Sequence, residues 1–152
     1  MKTLANHSDR GAIERRLDML RPDLVRRWGK MSAHQMVCHL ADSFRGVMGE
    51  KELAVKPGTF GRGVMKWLAL YSGVPWPHGV KTMPEMDQLI GGTPPVEFEA
   101  DRVALGLLLD RFTRESRDFA WRRHPIFLVM SDADWMRWGY LHIDHHFRQF
   151  GA

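Results

Sequence analysis

The segment SDADWMRWGYLHIDHHFRQF, residues 131–150, decides the fold, because its pattern is typical of one long amphipathic helix. Ser131 followed three residues later by Asp134 predicts the N-terminus of this helix. The segment also holds three of the eight histidines of the chain. A helix can carry histidines as surface groups, as hydrogen-bonded core residues or as metal ligands, so their direction decides what they indicate about function.

A helical turn of about 100° per residue separates these histidines by face. His142 and His146 fall within the apolar stripe that includes Trp135, and His145 falls on its flank. The opposite face, which we expect to be exposed, carries Arg137, Asp144 and Arg148. Two inward imidazoles one turn apart, about 6 Å along the axis, can converge on one ion. From this helix alone, a metal site and a packed core remain equally open.

A second helix is predicted from Ala33 to Val47 or Met48. Ser32 followed by Gln35 is a capping box, which favours a helix start at this point. Gly49 is a suitable terminator.

This second helix offers the third ligand that a mononuclear site needs. His39 lies at the edge of its apolar stripe and is the best partner for the pair on the last helix. Asp42, one turn further, could orient His39, take a ligand position itself or be a surface carboxylate. His34 is expected to be solvated in the first turn, on the far side with Arg45.

The remaining chain is also predicted to be helical, with no strands. Ser8 or Asp9 is expected to cap a first helix through residues 11–20, with one or two further turns in residues 23–30. Further helices are predicted between Gly61 and Gly73 and from Ala100 to Arg117. Residues 74–98 contain five prolines and are predicted to form a long loop without regular structure, which lines or covers the site and supplies Trp76 and His78. The prediction is an all-α antiparallel bundle, which builds its sites between facing helices.

The length, apolar segments and net charge of the chain narrow the functional classes. A chain of 152 residues is expected to form a single domain, residues 1–152. No secretory leader or membrane span is recognised, so we expect a cytoplasmic protein without a membrane partner. The net charge of +4 suggests nucleic-acid binding as one functional hypothesis. It ranks last, because no interleaved aromatic and basic pattern accompanies the charge.

Two catalytic patterns are disfavoured. The only cysteine, Cys38, points toward the outer face of its helix, so neither a thiolate zinc cluster nor a nucleophilic thiol is expected. Position 143 is Ile rather than Glu, which excludes the zincin pattern HExxH. An open metal position would itself have to generate the nucleophile. His78 and His124 are expected to be ordinary loop residues, although either could reach the mouth of the site.

With these residues identified, the chain resembles the DinB/YfiT-like superfamily of metalloenzymes. The resembling pieces are MVCHLADSF (36–44) and LHIDHHFRQF (141–150). Three further pieces resemble a branch known mainly as a domain of unknown function: VPWPHGVKTMPE (74–85), PPVEFEADR (94–102) and HPIF (124–127). In residues 148–150, RQF replaces the RGQ common in other branches.

The resemblance implies an up-and-down four-helix bundle, often dimeric, in which His39, His142 and His146 bind nickel, zinc, iron or manganese. His145 and Gln149 are then expected to border the site. Relatives of this kind imply a small-molecule substrate, with either hydrolysis by activated water or transfer to a low-molecular-weight thiol. The alternative is a non-catalytic or small-ligand-binding bundle whose histidines are structural.

Overall fold

The computed structural model describes residues 1–54 and 62–152, and the protein is all-helical within them. The α-helices are α1 (His7–Asp18), α2 (Ala33–Met48), α3 (Arg62–Tyr71), α4 (Phe98–Thr113) and α5 (Asp132–Gln149), with a 3-10 helix at Pro84–Met86. These ranges contain no strand, as the sequence predicts. None of the helices in the described ranges has the length and apolarity needed to cross a lipid bilayer.

The two helices that carry the candidate ligands begin where their sequences predict. Ser32 caps α2 and Ser131 caps α5, and each forms a complete capping box with the residue three positions on. Gly49 ends α2 with a φ of 88°, a left-handed conformation that glycine adopts without a steric penalty. Helix starts set by local side-chain to backbone bonds are therefore readable from the sequence.

Several other predicted bounds are wrong. The N-cap of α1 is Asn6, whose side chain accepts a hydrogen bond from the Asp9 amide, rather than Ser8 or Asp9. The further helical turns that the sequence predicts in residues 23–30 are absent: the segment has a turn at residue 23, irregular backbone at 24–26 and a bend at 27–30. Helix α4 begins and ends earlier than predicted, and the 74–98 segment is interrupted by the 3-10 helix. The helix predicted between Gly61 and Gly73 agrees with α3, which spans Arg62–Tyr71, and Gly61 itself lies outside the described residues.

Helix α2 packs closely against α4 and also contacts α5. Each of α1 and α2 contacts both α4 and α5, α3 packs against α5, and the 3-10 helix packs against α2. The largest fully buried side chains include Trp135, Phe44, Phe112 and Phe147. Gly139 allows a close approach, because a Cβ there would lie 2.7 Å from the Leu4 side chain and 3.0 Å from Phe112. This packing places the inner face of α5 against α2.

Candidate metal centre

Three histidines from α2 and α5 meet in the interior of the protein. His39, His142 and His146 are only 5%, 9% and 7% exposed, and one ligand nitrogen from each lies within 4.8 Å of the others. The Nε2 atoms of His39 and His142 are 3.2 Å apart. The ring centroids are separated by 4.8–5.2 Å. The structure therefore brings together three side chains that the sequence separates by up to 107 positions, residues 39 to 146.

A backbone carbonyl fixes the proton position on His39. Its Nδ1 lies 3.0 Å from the carbonyl oxygen of Met86 in the 3-10 helix. A carbonyl oxygen can only accept, so Nδ1 carries the proton and donates it. The lone pair of the neutral ring is then on Nε2, the nitrogen that faces His142.

A side-chain amide does the same for His146. Its Nδ1 donates to Oε1 of Gln149 at 2.9 Å, and the Gln149 amide nitrogen donates to the Trp28 carbonyl at 2.8 Å. The carbonyl fixes the direction of the amide, because its oxygen must then face the imidazole. His146 is therefore also held with its lone pair on Nε2. Trp28 lies in the segment where the sequence predicted further helical turns, so this contact was not foreseen.

All three imidazoles are held in the neutral form. Burial lowers the pKa of His39, although its hydrogen bond to Met86 opposes this. Burial, followed by the neighbouring imidazoles, lowers the pKa of His142 and that of His146 well below the ordinary value. Neutral imidazole is the form that binds metal ions.

The donor set fits a divalent ion. Zinc binds imidazole nitrogen at about 2.0–2.1 Å, so two nitrogens on one ion are at most about 4.2 Å apart, and the Nε2 separation of 3.2 Å is within that reach. Buried Nδ1 of His142 has no hydrogen-bond partner among the described residues. In the tautomer that the other two rings adopt, Nε2 lone pairs of His39 and His142 would face each other, and a cation between them would remove their repulsion. This buried group could hold a metal ion.

Aromatic side chains cover the three histidines. The Trp76 ring centroid lies 5.9 Å from that of His142, and the His145 centroid lies 5.2 Å from that of His146. His78 stacks on Trp28 with a centroid distance of 3.9 Å, and both rings contact His145. The segment from residue 74 thus supplies Trp76 and His78 to this cover.

Asp42 does not contact His39 through its carboxylate and is not at the surface. It is fully buried, and its oxygens accept hydrogen bonds from the Thr93 amide (2.7 Å), the Thr93 hydroxyl (2.6 Å) and Lys51 (2.9 Å). Burial alone would raise the pKa of Asp42, but the bonds from Thr93 and Lys51 lower it. Asp42 therefore anchors the segment that follows the 3-10 helix, and through it the Met86 carbonyl.

Two predictions for the other face of α2 are wrong. Cys38 is buried rather than directed outward, because α4 packs against this face. Burial, followed by repulsion from Asp101, raises the pKa of Cys38 to about 12, so its thiol is a poor nucleophile. His34 is half-buried rather than solvated, and its Nε2 lies 2.7 Å from Asp101.

Two residues on other segments are also more buried than predicted. Arg137 is buried rather than exposed, and its Nε donates to the Leu70 carbonyl at 2.8 Å. His124 is not an ordinary loop residue. It is buried against Phe127 and Trp138, and burial lowers its pKa to about 3.

A cavity of about 310 Å³ opens beside the outer face of α5. Its walls come from α5, from the end of α3 and the residues that follow, and from Lys2. His39, His142 and His146 do not line it, whereas Trp76 and His145 do. These two side chains therefore border both the cavity and the histidine cluster.

The comparison with protein families identifies the chain at the level of a family. A family model described as "Protein of unknown function (DUF1569)" matches residues 2–152, so the chain belongs to this family. The predicted resemblance to a branch of unknown function is confirmed, while membership of the wider DinB/YfiT-like superfamily stays a prediction. No curated protein and no solved structure matches the chain.

Proposed function

We propose that this DUF1569 protein is a divalent-metal-dependent enzyme whose ion is held by His39, His142 and His146. The observation that carries the proposal is the convergence of three buried, neutral imidazoles from two helices. Two of them have Nδ1 fixed on an acceptor, which leaves Nε2 available to a ligand. Such outer hydrogen bonds are a regular feature of histidine-metal sites.

When bound, the ion would supply Lewis acidity that converts water or a low-molecular-weight thiol into a nucleophile near neutral pH. The protein would use it for hydrolysis or for thiol-dependent transfer on a small molecule. The chain itself keeps the imidazoles neutral by burial and orients two of them through Met86 and Gln149. The rings of Trp76, His78 and His145 would limit water and shape the entrance for the substrate.

Imidazole ligands suit nickel, zinc and iron. We propose these three metals and manganese as the candidate ions. We also propose that the helices form the up-and-down four-helix bundle of the DinB/YfiT-like proteins. The contacts of α1 and α2 with both α4 and α5 support this architecture, with α3 added outside α5. A cytoplasmic homodimer that binds neither nucleic acid nor membrane is part of the same proposal.

One observation favours the structural alternative. A separation of 3.2 Å between two Nε2 atoms also suits a hydrogen bond from a neutral His142 to His39. In that tautomer the cluster needs no ion, and the buried histidines would only join α2 to α5. The two functions therefore differ in whether the cluster binds a metal.

The test begins with protein purified without a metal-affinity column. Elemental analysis is expected to find about one divalent ion per chain in the three-histidine centre, measured as the metal that His142→Ala loses, because such sites hold a single metal. A panel of ester, amide and thiol-transfer substrates should then give an activity that EDTA removes and the same metal restores. Absence of stoichiometric metal, together with no binding on reconstitution, would rule the proposal out in favour of the structural alternative.

A further inference from the structure

We propose that His34, Cys38 and Asp101 form a second cation site, which takes a thiophilic divalent ion such as Zn²⁺ or Cd²⁺. The site lies on the face of α2 that packs against α4. His34 and Cys38 are one turn apart on α2, and Asp101 is on the first part of α4. It is separate from the three-histidine cluster, which lies between α2 and α5.

The three ligand atoms are already assembled. One atom from each side chain lies within 4.8 Å of the others. Asp101 Oδ2 is 2.7 Å from His34 Nε2 and 3.6 Å from Cys38 Sγ. Zinc binds thiolate sulfur at about 2.3 Å and nitrogen or oxygen at about 2.0–2.2 Å, so sulfur and oxygen ligands of one zinc ion lie up to about 4.5 Å apart. The two separations from Asp101 Oδ2 fall inside this limit.

The chemistry of the donors selects the class of ion. A thiolate, an imidazole and a carboxylate form a mixed set of sulfur, nitrogen and oxygen ligands. Such a set suits zinc and cadmium and is unsuited to magnesium or calcium. Sulfur makes this site different in kind from the three-histidine cluster. Cys38 is the only cysteine in the chain, so any thiolate ligand must be this one.

Binding of the ion at this second site releases one proton. In the absence of an ion, the Cys38 thiol and His34 Nε2–H both donate to Asp101. On binding, the thiol proton passes to solvent, and the imidazole proton moves from Nε2 to Nδ1 so that Nε2 can bind the ion. No bond to carbon changes and no electron is transferred.

The surroundings allow an ion to enter and be held. The His34 and Asp101 side chains are 19% and 25% exposed, so they open the site to solvent, while Cys38 closes its inner side at 2% exposed. The Phe98 ring packs edge-on against His34 at a centroid distance of 5.3 Å and limits its movement. A bound ion would join α2 to α4 and stabilise the folded chain, because such a site does not exist in the unfolded chain.

Cadmium titration of the full chain tests the site through the ultraviolet charge-transfer band of a cadmium–thiolate bond. We expect a band that saturates and that zinc removes by competition. Asp101→Asn and His34→Gln should each weaken cadmium binding by about tenfold or more, since loss of even an outer partner costs roughly 10- to 100-fold. Asp110→Asn, an exposed acid on the same helix, is the matched control and should leave the band unchanged.

The outcomes separate this site from the three-histidine cluster. His142→Ala should keep the band, because that cluster contains no thiolate. Absence of the band in the wild-type chain would overturn the proposal. A band of equal affinity in Asp101→Asn and His34→Gln would overturn it as well, since it would report a lone thiol binding cadmium.

Discussion

The candidate metal centre is built from helices and from connecting segments, and the two contribute different things. Helices α2 and α5 carry the three imidazoles. The segments before α2 and after α3 carry the groups that orient and cover them: the Trp28 and Met86 carbonyls and the Trp76 and His78 rings. In a helix, the spacing of residues fixes which side chains meet. In a connecting segment, an orienting group can be a backbone carbonyl, which every residue has.

The largest expected effect is on the helical part of the centre. His142→Ala should lower the divalent metal content by about one ion per chain, because it removes one of only three ligands of this centre. His145→Ala, three positions along the same helix, should keep the metal stoichiometry. Elemental analysis of both variants measures the metal content. Equal loss of metal in both would show that His142 is no more a ligand than His145.

Asp42→Ala tests whether a connecting segment depends on the helix beneath it. We expect a loss of about 2–4 kcal/mol in the free energy of unfolding, because the Thr93 donors and Lys51 lose their buried acceptor. Metal affinity should also fall, since the Met86 carbonyl is no longer held in place. Denaturant unfolding and metal titration measure the two effects, with the exposed Asp110→Ala as control. A loss no greater than that of Asp110→Ala would show that Asp42 anchors nothing.

Gln149→Met tests the orienting hydrogen bond on His146. The change keeps the size of the side chain but removes the acceptor for Nδ1–H, so metal affinity should fall roughly 10- to 100-fold. Gln149→Glu restores an acceptor for Nδ1–H but loses the donor to the Trp28 carbonyl, so it should recover only part of that affinity. Isothermal titration with zinc compares the variants. If the Met variant binds as tightly as the wild type, the amide has no part in positioning the ring.

The expected effect of His124 is confined to the pH dependence of stability. Burial lowers its pKa to about 3 in the folded protein, whereas the unfolded chain binds a proton near pH 6.5. The neutral His124 ring therefore contributes its full share of the free energy of unfolding above about pH 6.5. This share is lost as pH falls toward 3, at about 1.4 kcal/mol per pH unit.

The matched variant is His124→Asn, which keeps an acceptor for the Ile126 and Phe127 amides but does not titrate. Between about pH 3 and pH 6.5, the free energy of unfolding of this variant should depend less steeply on pH than that of the wild type, by about 1.4 kcal/mol per pH unit. Identical slopes in chelator-treated protein would contradict the assignment of a buried neutral ring.

The helical part of this structure was largely predictable from local patterns. The starts of α2 and α5 follow from capping boxes at Ser32 and Ser131, which are bonds between near neighbours in sequence. The inward direction of His142 and His146 follows from the helical repeat. These properties depend on residue spacing within one element, so a single sequence contains them.

Other positions depend on partners that the sequence does not reveal. The helical repeat places Cys38 toward an outer face, but α4 covers that face. It places Arg137 opposite the apolar stripe of α5, but the guanidinium donates to the Leu70 carbonyl across the α3–α5 contact. The acceptors for His39 and for the Gln149 amide are backbone carbonyls, which leave no signal in residue type. Tertiary neighbours decide these positions, and a helical repeat cannot supply them.

The most direct measurement is an anomalous difference map of the crystallised, metal-reconstituted protein, collected at the absorption edges of manganese, iron, nickel and zinc. Within the three-histidine cluster we predict one strong peak, at about 2.0–2.2 Å from a ring nitrogen of His39, of His142 and of His146. A reconstituted protein with no peak among these three rings would contradict the central claim and would leave the cluster as a packed, hydrogen-bonded part of the core.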